Sequence, residues 1–510
     1  MKFSKILRYP LFAWFLLMGI YLVHAVGFWD WLVDDGGVSL TYARNLMDGM
    51  GLVPQAGRLP TEAFSNPLWV GICAIFMSLG MRDPYLLVTI LNASFWGILS
   101  YTWLVRGAKR LDIPQVWIFV FLLSLSVASP LIRWMNSGLE NGLYLFLLSL
   151  FLLELLKQKE DKWSGIFLGS LALVRPEGIL FAALYLGIFS SESVKSSLFF
   201  IGRRILPAFL IMGGYLCFRW FYFDDFFPNP FYAKASFDGF STFSPIKIHR
   251  LFRSVFGPAG GIMTLAYAGA TVFIFRKKWH TSTFYLPLLG LLMATLIFLL
   301  LPYDHLGWYR YATPFIFFAL LYGFLLVHTF VQHVSPLSRW VSWGVWIWIG
   351  FSVAMGTYVS LGHMQNPTVP FSQVKKGYGY TLNSIGNQLG VHRGTVLVPD
   401  AGGAIWASDY EVYDFLGLLD KKMGSSFEKD SAIYCDYVFE VIRPNLIHGH
   451  GGWVEDKYWL RDPRLEENYV EVYSFEEPQL IKCWIRKGIS ERNERNKVRQ
   501  AGLMREILMY

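Results

Sequence analysis

Charge is scarce in this chain. Only 16% of its 510 residues are charged, where a soluble chain of this size carries about 25%. With 54% hydrophobic and 18% aromatic residues, that scarcity excludes an ordinary soluble globule and leaves a polytopic membrane protein. Cysteine is scarce too. The four present are too few for a disulfide framework: Cys73 and Cys217 fall in apolar runs, and whether Cys435 and Cys483 pair stays open. No Walker or GxGxxG motif stands between a strand and a helix, and the AGGA at 401–404 is too weak to signal a nucleotide. The formal charge of +8 lies in short basic clusters between apolar runs, which makes it a topology signal and not a nucleic-acid footprint. No small-residue cleavage site follows the first apolar run, so that run reads as a retained anchor.

The apolar runs predict about eleven crossings by hydropathy and length. They fall near Leu11–Trp29, Tyr85–Val105, Gln115–Ile132, Gly142–Leu156, Trp163–Val174, Gly178–Ser190, Ile205–Phe223, Phe256–Phe275, Phe284–Leu301, Ala312–Phe330 and Val341–Leu361. Arg106/Lys109/Arg110, Lys157/Lys159/Lys162, Lys195/Arg203/Arg204, Arg276/Lys277/Lys278 and Arg339 then share the side of the N-terminus, which the positive-inside rule makes cytoplasmic. Pro176 and two charges interrupt the spans around Arg175-Pro176-Glu177. Pro67 to Gly80 is too short to cross and suits a re-entrant or interfacial helix on the outer face. A polar amphipathic helix, Ser39 to Met50, precedes it.

The first outer loop opens on the adjacent carboxylates Asp34 and Asp35. Ionisable groups at a membrane boundary are costly and mark function, although Asp also favours the first turn of a helix. The pair suits a general base, a metal ligand, or both. Beyond Leu361 the composition turns polar, with strand candidates at Thr395–Pro399, Glu411–Phe415, Asn445–His448, Val470–Ser474 and Leu480–Ile485. GTVLVPDAGGAIWAS reads as strand, turn and helix start, with Asp400 as the cap. The expected divisions are 1–361, a membrane-embedded helix bundle; 362–486, a small extracytoplasmic α/β domain; and 487–510, a basic tail.

DDGGVSLTYARNLMDGMGLV followed by TEAFSNPLW resembles the first-loop signature of GT-C glycosyltransferases, within them the bacterial cell-wall terminal arabinofuranosyltransferases. NSGLENGLY, LVRPEGILFAA, FPNPFYAK, WYRYATPF and VPDAGGAIWASDYEVYDFLGLLD extend the likeness over most of Asp34 to Asp420. The sequence departs from the pattern at Gly36-Gly37, where a small residue and an aromatic are usual, and at Ala63-Phe64, where Gly-Tyr is usual. The resemblance implies a GT-C helix bundle in a bacterial plasma (inner) membrane, with the active site and C-terminal domain outside. It implies transfer of a hexose or pentose from a polyprenyl-phosphate donor to an envelope glycan, glycolipid or glycoprotein. Asp34 would be the base, Asp35 a supporting carboxylate or a ligand for Mg²⁺ or Mn²⁺, and Glu62 a third acidic group of the site.

Glycosyl transfer also needs cations for the departing phosphate. Arg175, Arg310 and Lys234 fall on the outer side in this topology and are the candidates. Arg44, His305 and Tyr309 are candidate substrate contacts, with an i,i+4 pair to Asp48 as the competing fate of Arg44. His448 and His450 in HGHGGW lack the further ligands of a zinc site and read as loop contacts. Two other classes compete: a lipid or sugar transporter, disfavoured because no internal repeat is evident, and a non-catalytic carbohydrate-binding envelope scaffold.

Overall fold

The computed structural model describes residues 10–157, 161–188, 194–234, 245–301, 306–307, 309–334, 344, 351, 354–355, 358–362, 364, 368–388, 393–455, 457–475 and 480–489. The expected span Val341–Leu361 and the tail from 490 onward lie largely outside the described residues, as does His305. Contacts divide the chain into two compact units that are both discontinuous. One is Met1–Trp31, Tyr85–Leu216 and Phe240–Pro367; the other is Leu32–Pro84, Cys217–Gly239 and Thr368–Tyr510. This differs from the contiguous division read in the sequence. The first loop and a segment after residue 216 fold with the C-terminal region.

The first unit is helical. By length and composition three helices suit a bilayer crossing (Pro84–Leu111, Arg204–Phe223 and Arg310–His333), or up to five if two bent pairs each count as one span. One bent pair, Gln115–Ser126 with Ser129–Met135, turns by 65°, where Pro130 enters at the start of the second helix. Shorter apolar helices, Pro10–Val26, Asn141–Leu155, Ser164–Val174, Pro176–Leu186 and Tyr285–Leu300, occupy the remaining expected spans among the described residues. The interruption expected near Arg175 is real. The α-helix stops at Val174, Arg175 is extended (φ −150°, ψ 127°) and the chain continues as a 3₁₀ helix over Pro176–Ile188. Pro176 causes this, because proline drives its predecessor out of the helical region.

The second unit is built on a five-stranded mixed sheet: β1 (Thr395–Val398), β2 (Glu411–Asp414), β3 (Leu446–His450), β4 (Tyr469–Phe475) and β5 (Ile481–Arg486), in the order β2-β1-β3-β5-β4. β1 lies parallel to β2 and β3, and β5 antiparallel to β3 and β4. Phe415, Phe427, Tyr434, Trp459 and Trp484 are among the residues of its core. The two cysteines left open above are both free and buried.

The first loop is stitched into this unit. Val33 bridges Pro370, Asp34 N–H donates to Val369 O at 2.9 Å and Phe371 N–H to Leu32 O at 2.9 Å. The loop helix begins at Asp34 and runs to Met47, five residues earlier than Ser39. Asp34 and Asp35 in its first turn favour that start through the helix dipole. The next helix, Pro67–Ser78, has 12 residues, too few to cross a bilayer. Gln55 and Arg58 extend from the same loop to β2: the Gln55 amide bonds Tyr410 O and Val412 N–H, and Arg58 bonds Val412 O and pairs with Glu411.

Candidate active site

Asp34 is the centre of the second unit's polar cluster. Its side chain is buried, with the residue 3% exposed. Gly402 N–H donates to one carboxylate oxygen at 2.8 Å and Gly403 N–H to the other at 2.6 Å. The cap of the helix Gly402–Ala407 is therefore Asp34 and not Asp400, whose side chain instead accepts from His450 Nε2 at 3.0 Å. Asp400 is too early in the chain to serve, since Ala401 precedes the helix directly.

Two glycines permit this approach. A Cβ on Gly402 would stand 2.0 Å from the Asp34 backbone oxygen, and one on Gly37 would stand 2.3 Å from the Phe371 ring. Gly37 is where the resembled signature carries an aromatic; here Phe371, from a distant segment, occupies that space.

Burial raises the Asp34 pKa well above the ordinary carboxylate range, and the nearby Asp400 charge adds to it; the two N–H donors oppose the shift and Asp35 adds a smaller upward push. Asp35 is half-buried beside it. Around Asp400, the Tyr378 ring lies 4.8 Å from His448 and stacks at 6.5 Å on His450. His448 meets Cys483 Sγ at 2.8 Å, and burial drives its imidazole pKa down to about 3.

Arg44 does not take Asp48 as its hydrogen-bond partner. Its Nη1 donates to Trp406 O at 2.9 Å and the guanidinium covers that indole at 4.2 Å. Glu62, 2% exposed, receives both Nε and Nη2 of Arg219 at 2.6 and 3.1 Å. Asn229 of FPNPFYAK donates its backbone N–H to Glu62 O at 2.9 Å and its side-chain amide to Gly417 O and Leu418 O. Lys234 closes the same short helix, Asn229–Lys234.

Arg175, Arg310 and Tyr309 belong to the first unit. Arg175 bonds Glu140 at 2.7 Å and Glu177 at 2.6 Å. Asn141 donates to Arg310 O at 3.0 Å and to Thr313 Oγ1 at 2.9 Å. NSGLEN, VRPEG and WYRYATP thus interlock. Tyr309 holds a left-handed backbone (φ 64°), an uncommon conformation for a bulky residue. It lines a mostly apolar cavity of about 460 Å³ together with Arg133, Arg253, Met263 and Met355.

Among the described residues no three His, Cys, Asp or Glu side chains gather closely enough to hold a metal ion.

Gly402, Gly403, Asp400, Arg219, Arg133 and Arg253 were not singled out as site residues in the sequence. The local signal was the turn and helix start in GTVLVPDAGGAIWAS, which does not itself point to a carboxylate partner.

The fold has a counterpart among solved structures. The structure matches the crystal structure of ArnT from Cupriavidus metallidurans bound to undecaprenyl phosphate over 92% of this chain and 97% of that one, with a TM-score of 0.56 and 14% identity. In sequence, the chain is similar to the terminal β-(1→2)-arabinofuranosyltransferase of Mycobacterium tuberculosis (strain ATCC 25618 / H37Rv), at 29% identity over 196 residues. That match takes in 34% of this chain and 30% of the relative, so the chain covers less than a third of the relative's length. No protein-family model matches. Both comparisons meet the resemblance drawn from the first-loop motif.

Proposed function

We propose that the chain is a GT-C-type glycosyltransferase that moves a sugar from a polyprenyl-phosphate donor to an envelope glycan, glycolipid or glycoprotein on the outer face of the plasma membrane. The observation that carries this reading is Asp34: a buried carboxylate held by two backbone N–H groups, with a raised pKa, in the loop that bears the family-like signature. A base is most effective when its pKa approaches the working pH, and neutral donors orient Asp34 without cancelling its charge. In the reaction the acceptor oxygen bonds to the anomeric carbon and gives its proton to Asp34. The bond from that carbon to the carrier phosphate oxygen breaks, and polyprenyl phosphate departs with the electron pair.

Arg310, Arg133 and Arg253 are the cations assigned to the carrier phosphate, with the apolar cavity walls taking adjacent isoprenoid carbon. Arg175 is already matched by two carboxylates and is assigned to holding the interlocked motifs. Lys234 keeps a place among the phosphate-binding candidates on sequence position. Glu62 is assigned to anchoring the loop, because its carboxylate is committed to Arg219. Asp35 supports Asp34. Mass spectrometry of envelope glycans from cells with and without the chain tests the reading. Loss of one terminal sugar, restored by the native chain and not by Asp34→Asn, is expected; an unchanged glycan profile overturns it.

A further inference from the structure

The sheet order β2-β1-β3 reverses direction at β1. In open α/β sheets the loops leaving the carboxyl ends of two such strands diverge and leave a crevice, where functional groups collect. Here Asp400 follows the end of β1 and His450 ends β3. The parallel register Leu397↔Ile447, continued past the strands, brings these two residues level, and His450 Nε2 donates to Asp400 Oδ2 at 3.0 Å. Both are partly open, at 25% and 20% side-chain exposure, while Asp34 is closed off. Asp400 opens the turn that presents Gly402 and Gly403 to Asp34. The spacing of that turn is tight: a Cβ on Gly403 would stand 2.3 Å from Lys375 N.

We propose that His450 and Asp400 are positioning residues for Asp34: His450 anchors Asp400, and Asp400 sets the turn whose Gly402 and Gly403 N–H groups hold the Asp34 carboxylate. The proposal rests on the reading of Asp34 as the base. It has an electrostatic consequence. An ionised Asp400 opposes ionisation of Asp34, and a protonated His450 offsets that charge. The groups facing Asp34 are Asp35, Asp400 and Tyr378; those facing His450 are Asp400, His448 and Tyr378. The Lys375 ammonium lies over the Phe371 ring at 5.7 Å.

The test uses the purified full-length protein in two arms. In the first, infrared difference spectra follow the protonated-carboxyl stretch of Asp34 against pH, assigned by its loss in Asp34→Asn. Asp400→Asn should lower the titration midpoint by roughly one pH unit, the scale of a close charge. His450→Gln should raise it, and the double variant should follow Asp400→Asn, because His450 acts through Asp400. A midpoint unmoved in both single variants, with size-exclusion profiles kept, overturns the proposal. So does a double variant in which the two shifts simply add. In the second arm, transfer from a panel of synthetic farnesyl-phosphoryl pentoses and hexoses, arabinofuranose among them, is measured against pH. The acidic limb of kcat should move with the infrared midpoint while KM for the donor holds. Shifted midpoints without transfer would count against the glycosyltransferase reading and leave the positioning intact; a limb that ignores the midpoint would overturn the link between them.

Discussion

The two ends of the first loop hold their buried carboxylates with different partners. Asp34 is met by two neutral backbone donors, whereas Glu62 is met by the charged fork of Arg219. The first unit repeats the second arrangement, with Arg175 between Glu140 and Glu177. The second unit repeats the first at Asp414, whose oxygens accept from Leu418 and Leu419 N–H at 2.9 Å each. Neutral donors orient a carboxylate and offset only part of the cost of its burial, so Asp34 and Asp414 both have raised pKa values. A guanidinium supplies charge as well as geometry, which fastens a carboxylate but leaves it poorly placed to take a proton. The partner thus separates carboxylates with a raised pKa from those locked in an ion pair.

The sharpest way to break this contrast is Asp34→Asn. It should lower turnover about 10²–10⁴-fold, the usual range for losing a general base, and, because the amide can accept only one of the two glycine N–H bonds, cost about 1–3 kcal/mol of stability beside it. Near-native transfer by the purified variant would remove Asp34 from the mechanism. Glu62→Ala should do the reverse, costing stability first. Taking a carboxylate from a buried guanidinium costs about 3–5 kcal/mol, so lower yield and an earlier thermal transition are expected. A stable but inactive Glu62→Gln variant would move Glu62 back among the reacting groups.

Asp414 offers a pH test. Its pKa rises from 3.8 to about 6 in the fold, so the folded state holds the proton more tightly than the unfolded chain. Stability should be greatest below about pH 4 as far as this group is concerned, and should fall as pH rises through 6, by about 3 kcal/mol. Melting curves of Asp414→Asn should lack that decline; an identical pH dependence in both proteins would refute it. Arg310→Gln should have the smallest effect, weakening binding of a lipid-linked donor by about 1.5–3 kcal/mol, the range for a charged hydrogen bond. Isothermal titration in nanodiscs would show it, and unchanged affinity would reassign the phosphate to other cations.

Much of the fold was legible. All five strands fall within a residue or two of their expected positions, because each is a short apolar run bounded by turn residues. The helix break at Arg175-Pro176 followed from proline's local geometry. The site was legible only where its signal is local. Asp34 stands out as charge at a membrane boundary, but the residues that hold it lie 368 positions further on. Nothing in AGGA itself announces a carboxylate partner; only the close approach of Gly402 to the loop helix gives those glycines meaning. The discontinuous second unit was hidden for the same reason, since Arg219 and Asn229 reach Glu62 and the 417–418 turn through space. His450 was read as a loop contact because the parallel pairing of β1 with β3 cannot be seen from either strand alone.

That long separation also imposes an order on synthesis. At roughly 5–20 residues per second, the ribosome reaches Gly402 and Gly403 about 20–70 s after it has made Asp34. For most of that interval the first loop has neither Val369 nor the glycine turn to dock on, and the glycine turn comes last. A chain stalled anywhere between Asp35 and Gly403 therefore carries the acidic pair without its clasp, and the nascent protein gains its finished carboxylate only after 369 further residues have been joined.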